Sequence, residues 1–328
     1  MKRFGNLYEK IYDIENIRLA HKNARKGKKH YSEVKRVDAN PEYYFNRIQK
    51  MLKDKTFENS KYHIFKRMFN GKEREIFKLP YFPDRIIHHC IMQVLEPIWK
   101  NVLIRDTYSS LKDRGVHDGL KRVKKAMKNK RSTMYCLKFD IKKFYPSVDH
   151  GILKKIIERK IKCKDTLCLL YKIIDSAQGI PIGNYLSQCF GNLYLTYFDH
   201  WMKEIKCCKY YFRYCDDIVI LSRNKTILHD LFFRCSLYLK NVLMLKVKSN
   251  WQVFQSDSRG IDFLGYRIFH EFCLLRKSIV NSFKKKMKQI NNRVGEKNIL
   301  SSIMSYVGWM EHANTKKLMY KYISEALV

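Results

Sequence analysis

Two hydrophobic periods alternate along this chain. Residues 1–60 read as basic helix, and after Pro41 the apolar positions Tyr44, Ile48 and Leu52 return at helical spacing. Residues 62–69 and 73–78 are strand-like runs on either side of Asn70-Gly71, a dipeptide that between apolar segments signals a hairpin, and Arg74 falls on its second strand. Residues 86–99 predict an apolar helix opened by Pro83-Asp84, and residues 119–131 a helix dense in Lys and Arg. The pattern then predicts a strand over 134–141, helices over 149–162 and 186–204, a hairpin over 210–222 and a helix over 226–241. Asp149 is placed to cap the first of these helices. Residues 261–268 read as one further strand, whose central Gly265 suggests a bend or the close approach of another backbone. Beyond Arg276 the chain is helical, with an apolar face at Ile303, Tyr306, Val307 and Met310. This order predicts an α+β fold, an antiparallel sheet backed by helices on one face. The expected divisions are a basic helical extension (1–60), a central domain (61–272) and a small helical domain (273–328).

Charge changes the picture. The chain carries 66 Lys and Arg against 31 Asp and Glu, a formal +35, and so large an imbalance favours a polyanionic partner through counterion release. With 22 Tyr and 19 Phe it is too aromatic for a disordered basic tail. No apolar run approaches the roughly 18 residues of a membrane span, and Met1-Lys2-Arg3-Phe4-Gly5 leads into charged sequence, so a cytoplasmic protein without membrane contact is expected. The ten Cys lack zinc-site spacing and read as reduced thiols.

The candidate chemistry is acidic. Tyr214-Cys215-Asp216-Asp217 lies between Phe212-Arg213 and Ile218-Val219-Ile220-Leu221, and paired carboxylates in so apolar a hairpin are tolerable only when a cation holds them. Asp140 ends the upstream apolar run Leu137-Lys138-Phe139. Three carboxylates on two strands suit two Mg²⁺ ions, with Mn²⁺ as a substitute, clamping the attacking and leaving oxygens of phosphoryl transfer. The carbonyl of Ile141 is a further candidate ligand.

Taken in order, the motifs over roughly residues 60–275 resemble those of reverse transcriptases. Phe139-Asp140 with Phe144-Tyr145 resembles the first catalytic motif, Tyr214-Cys215-Asp216-Asp217 the YxDD box, and Phe263-Leu264-Gly265-Tyr266 the primer grip. Where most of the family has Gln-Gly and then Ser-Pro, this chain has Ile182-Gly183 and Ser187-Gln188. That variant, with Ser-Arg-Gly-Ile-Asp-Phe-Leu-Gly-Tyr-Arg at 258–267, resembles the enzymes of diversity-generating retroelements in bacteria and their phages. The resemblance implies a right-hand polymerase with fingers, palm and a small helical thumb, making cDNA from a template RNA and dNTPs with errors at template adenines. It also implies an accessory variability protein, acting as an oligomer, as partner. Asp140, Asp216 and Asp217 would then be catalytic. Arg74 would stack over the nucleotide, Tyr145 would exclude a 2′-hydroxyl, Gly183 would allow close backbone approach, and Gln188 would line the same site. Lys246 would serve the leaving pyrophosphate, with Lys142 and Lys143 facing phosphates. Ile182 offers the incoming nucleotide only apolar contact, which predicts low fidelity.

Two alternatives compete. A retron, group II intron or defence-associated reverse transcriptase would share the three Asp, and an inactive RNA-binding scaffold would share the basic groove but need no carboxylates. The short tail after residue 272 leads us to expect no RNase H or endonuclease domain in this chain.

Overall fold

The computed structural model describes residues 2–69, 71–291 and 299–324, which gather into two compact units. Each unit is built from separate stretches of chain. One comprises residues 1–105, 141–206 and 236–246, the other 106–140, 207–235 and 247–328.

In the first unit helix Ile14–Ala24 packs against both helix Pro41–Lys53 and helix Ile86–Lys100, and His88, Cys90, Ile91 and Leu95 of the last are buried. Asp13 caps the first of these helices, accepting from the amides of Glu15 and Asn16, and Pro41 opens the second. A two-stranded antiparallel ribbon, β1 (His63–Phe69) and β2 (Lys72–Lys78), follows the helices, as the alternation around residue 70 predicts; Asn70 itself lies outside the described residues. Helices His150–Glu158, Lys164–Ile174 and Ser187–Tyr194 complete this unit's core. Asp149 does cap the helix that follows it, accepting from the Ile152 amide at 2.8 Å. The single helix expected over 186–204 is three pieces, Ser187–Tyr194, Thr196–His200 and a π turn at Trp201–Ile205.

The second unit holds the sheet. Its strands are β3 (Tyr135–Asp140), β4 (Tyr211–Tyr214), β5 (Asp217–Ser222) and β6 (Gln252–Gln255), all antiparallel, in the order β4-β5-β3-β6. Alternation sends Cys136, Val219 and Leu221 into a core with Leu120, Val123, Phe283 and Met310, while Phe139 turns to the other face against Phe232, which stacks on Trp251. Helix Val116–Met127 ends earlier than its charge run, which continues into a 3₁₀ turn at Arg131–Thr133. The strand expected over 261–268 is instead two short antiparallel strands, β7 (Ile261–Phe263) and β8 (Tyr266–Ile268), paired with each other, and β8 pairs on its other edge with β9 (Cys273–Leu275). Leu264 and Gly265 adopt φ of +54° and +82°, which reverses the chain within two residues. The close neighbour of Gly265 is not a backbone, because a Cβ there would meet the Trp309 ring at 2.6 Å. Helices Lys277–Asn291 and Ile299–Met310 follow. Among the described residues, no helix is long and apolar enough to cross a membrane.

Candidate active site

The antiparallel register of β3 and β5 sets Asp140 opposite Asp217, so the carboxylate ending one strand meets the one beginning the other. Asp216 comes from the turn between β4 and β5, where Cys215 takes φ +53°. That turn is braced from behind. The guanidinium of Arg213, fully buried, donates to the Cys215 carbonyl at 3.1 Å, and Ser109 Oγ lies 2.8 Å from Cys215 Sγ. Asp140 and the adjacent pair Asp216 and Asp217, distant in sequence, therefore share one end of the sheet.

Two ammonium groups hold them. Lys248 Nζ is 3.5 Å from Asp140 Oδ1 and 3.8 Å from Asp216 Oδ2, and Lys138 Nζ is 3.5 Å from Asp217 Oδ2. Backbone pairing delivers Lys248, whose amide donates to the Asp140 carbonyl at 2.9 Å. Lys138 also donates to the Asp262 carbonyl, tying the sheet to the β7–β8 hairpin. Burial pushes the Asp217 carboxyl up to about 7, the Lys138 ammonium opposes this, and the charges of Asp140 and Asp216 add to it. Asp217 Oδ1 is buried without a hydrogen-bond partner.

An orphaned acceptor among like charges is costly unless a cation satisfies it, and a set of hard carboxylate oxygens fits Mg²⁺ or Mn²⁺. The residues thus fit divalent ions, although they are not a finished chelate. Among the described residues no three His, Cys, Asp or Glu side chains are gathered tightly enough to hold an ion. Each carboxylate is drawn to an ammonium instead. Reading the sequence missed both lysines: Lys138 occupies an ordinary strand position, and Lys248 stands two residues past the Lys246 singled out there. Lys246 has an exposed side chain, and its carbonyl accepts from the Lys142 amide at 2.7 Å.

The candidate nucleotide-binding residues belong to the other unit, together with Ile141, which is fully buried. Tyr145 is half-buried, its ring against Gly191, where a Cβ would lie 3.6 Å from Cε1. Its carbonyl accepts from the Ile180 amide at 2.9 Å. Ile182 is joined to β2, its carbonyl accepting from the Phe77 amide at 2.8 Å. Gly183 makes its close backbone approach to the same strand, since a Cβ there would sit 2.6 Å from the Phe77 carbonyl oxygen. Gln188 is exposed near the start of helix Ser187–Tyr194, and Arg74 is exposed on β2, paired in register with Arg67. In the sheet-bearing unit, Phe263 and Tyr266 are buried on either side of the Leu264-Gly265 turn, and the Tyr266 hydroxyl donates to the Trp309 carbonyl at 3.0 Å.

The family model described as reverse transcriptase (RNA-dependent DNA polymerase) matches residues 53–268, which include all three carboxylates and the β7–β8 hairpin. The chain belongs to the reverse transcriptase family. Among curated reverse transcriptase relatives, Protein YkfC of Escherichia coli is 23% identical over 247 residues, 62% of this chain and 65% of that protein. Group II intron-encoded protein LtrA of Lactococcus lactis is 26% identical over 184 residues, 52% of this chain and 30% of that protein. The chain therefore spans less than two thirds of either. Telomerase from Candida albicans in complex with a TWJ fragment of telomeric RNA superposes with a TM-score of 0.51 at 12% identity, covering 83% of this chain and 58% of that one. Apo telomerase from Candida tropicalis gives 0.50 at 15% identity, covering 65% and 48%. At such identities the likeness is one of fold, the right-hand polymerase fold of mixed helix and antiparallel sheet.

Proposed function

We propose that this protein is an RNA-directed DNA polymerase of the diversity-generating type, copying a template RNA into adenine-mutagenised cDNA. The observation that carries the polymerase reading is the β3–β5 register, which sets Asp140 against Asp217 beside Asp216. These three, with the carbonyl of Ile141 next in the chain, would hold two Mg²⁺ ions. When bound, the ions supply activation of the primer 3′-hydroxyl and neutralisation of the departing pyrophosphate. The chain's own part is to hold the carboxylates in register. Template RNA as substrate fits the charge of +35, and one solved fold neighbour is a telomerase in complex with RNA. The accessory variability protein oligomer belongs to the same reading and has no surface assigned to it.

Ile182 and Gln188 favour the diversity-generating subtype, because they replace polar and rigid residues by an apolar and a flexible one at the nucleotide loop. The match to LtrA favours a second reading, a reverse transcriptase of the group II intron kind. Primer extension on a defined RNA with dNTPs and Mg²⁺ tests both readings. Asp216→Ala should abolish incorporation, and equal activity of wild type and mutant removes the assignment of the carboxylates. Sequencing the cDNA should show errors concentrated at template adenines, whereas a spectrum even across the four bases leaves the intron-type reading.

A further inference from the structure

The loop that carries Ile182 and Gly183 is tied down at several points within its unit. Tyr62 bridges it, its hydroxyl 2.8 Å from Ser176 Oγ and 3.1 Å from Asn184 Nδ2. The Ile180 amide donates to the Tyr145 carbonyl, and the Phe77 amide to the Ile182 carbonyl. At Gly179, with φ +61°, the loop presses backbone against backbone, because a Cβ there would lie 2.6 Å from the Tyr145 carbonyl oxygen and 2.7 Å from Pro146. With no side chain to space it, the height of the loop over Tyr145 is set by this close backbone contact and by the hydrogen bonds that hold it.

The tie at Gly179 comes from a titratable side chain. His150, the first residue of helix His150–Glu158, has Nε2 2.8 Å from the Gly179 carbonyl oxygen and Nδ1 3.1 Å from Asp175 Oδ1. Both partners are acceptors, so each ring nitrogen faces an oxygen to which an N–H can donate. Lys154 shares the carboxylate, its Nζ 2.6 Å from Asp175 Oδ2.

We propose that His150 is a positioning residue for the deoxynucleotide site: clasped between Gly179 and Asp175, it holds the 179–183 loop on Tyr145 and thereby sets nucleotide affinity and the choice of deoxyribose over ribose. The inference rests on the polymerase reading for its substrate and on the ties above for its geometry. His150 touches no reacting atom. Its removal should move KM rather than kcat.

The test compares wild type, His150→Phe and His150→Gln in single-nucleotide incorporation with dNTPs and rNTPs at one fixed pH. His150→Phe keeps the volume without N–H donors and should raise KM for dNTP about tenfold, the worth of one charge-assisted hydrogen bond, with kcat within about twofold. It should also narrow the preference for dNTP over rNTP. His150→Gln retains an N–H for Gly179 and should recover most of the affinity. Hydrogen exchange of the Ile180 and Phe77 amides reads the same clasp without turnover, and should quicken in the Phe variant. A folded His150→Phe protein with unchanged exchange, KM and sugar preference overturns the proposal, as does a His150→Gln protein whose KM is no lower than that of His150→Phe. Failure of the polymerase reading is a separate result, seen as equal incorporation by wild type and Asp216→Ala.

Discussion

Acid should destabilise this protein through two imidazoles in helix Ile86–Lys100. His88 and His89 are 1% and 7% exposed, and the Nε2 of each is buried without a hydrogen-bond partner. Burial lowers His88 to about 3, with His89 and Arg85 adding to the effect, and lowers His89 to about 4, with Arg85 and Lys26 adding. The sign follows from the unfolded chain, where both rings titrate near the ordinary value of 6.5. Above that pH both states hold neutral rings and the full stability is present. As pH falls below it, the unfolded state takes up protons that the native state refuses, and stability is lost until the folded values are reached. Each refused proton costs about 1.4 kcal/mol per pH unit, so at pH 5 each ring costs about 2 kcal/mol and the pair about 4. That is a large share of the 5–15 kcal/mol typical of a folded domain. Urea unfolding followed by circular dichroism at pH 7.5, 6 and 5 measures it against the double variant His88→Leu, His89→Leu. The wild-type midpoint should fall steeply over this interval and the variant's much less. Parallel curves for the two proteins would refute the assignment of acid sensitivity to these rings.

Two further outcomes follow from single contacts. Lys248→Met removes the cation that Asp140 and Asp216 share, and the pair is about one third exposed, so the ammonium is worth no more than about 1 kcal/mol. Binding of Mn²⁺ to the free protein, followed by electron paramagnetic resonance, should tighten by up to about fivefold, and weaker binding would mean the lysine supports the ion rather than competing with it. Asp149→Ala deletes the cap on helix His150–Glu158 and should cost about 1 kcal/mol in urea unfolding; no shift of the midpoint would show that the Ile152 amide finds another acceptor.

Much of the fold was legible because period and length agree where an element is buried on one or both faces. The run Ile218–Leu221 is buried throughout, as a central strand should be, and β3 alternates around Leu137 and Phe139. Sequence reading failed where backbone geometry, not hydropathy, decides. Residues 261–268 read as one strand with at most a bend at Gly265, yet two consecutive positive φ values at Leu264 and Gly265 fold them into a hairpin. A leucine is a poor advertisement for that conformation. The division into two units was likewise hidden, since each is assembled from stretches that the chain order separates.

The carboxylates were legible for a different reason: clustered like charges contradict their apolar flanking sequence, and such contradictions mark sites where something other than folding stability is served. Lys138, Lys248 and His150 carry no such contradiction. A lysine on a strand, a lysine in a Lys-rich segment and a histidine opening a helix each look ordinary. Their meaning arises only when register brings Lys138 beside Asp217, when the Lys248 amide pairs with Asp140, and when Gly179 offers its carbonyl to the imidazole. Residues that hold a charge are thus visible in sequence, and residues that answer it are visible only in space. That asymmetry explains why the carboxylates could be read from composition and order alone, while the groups that restrain them required the fold.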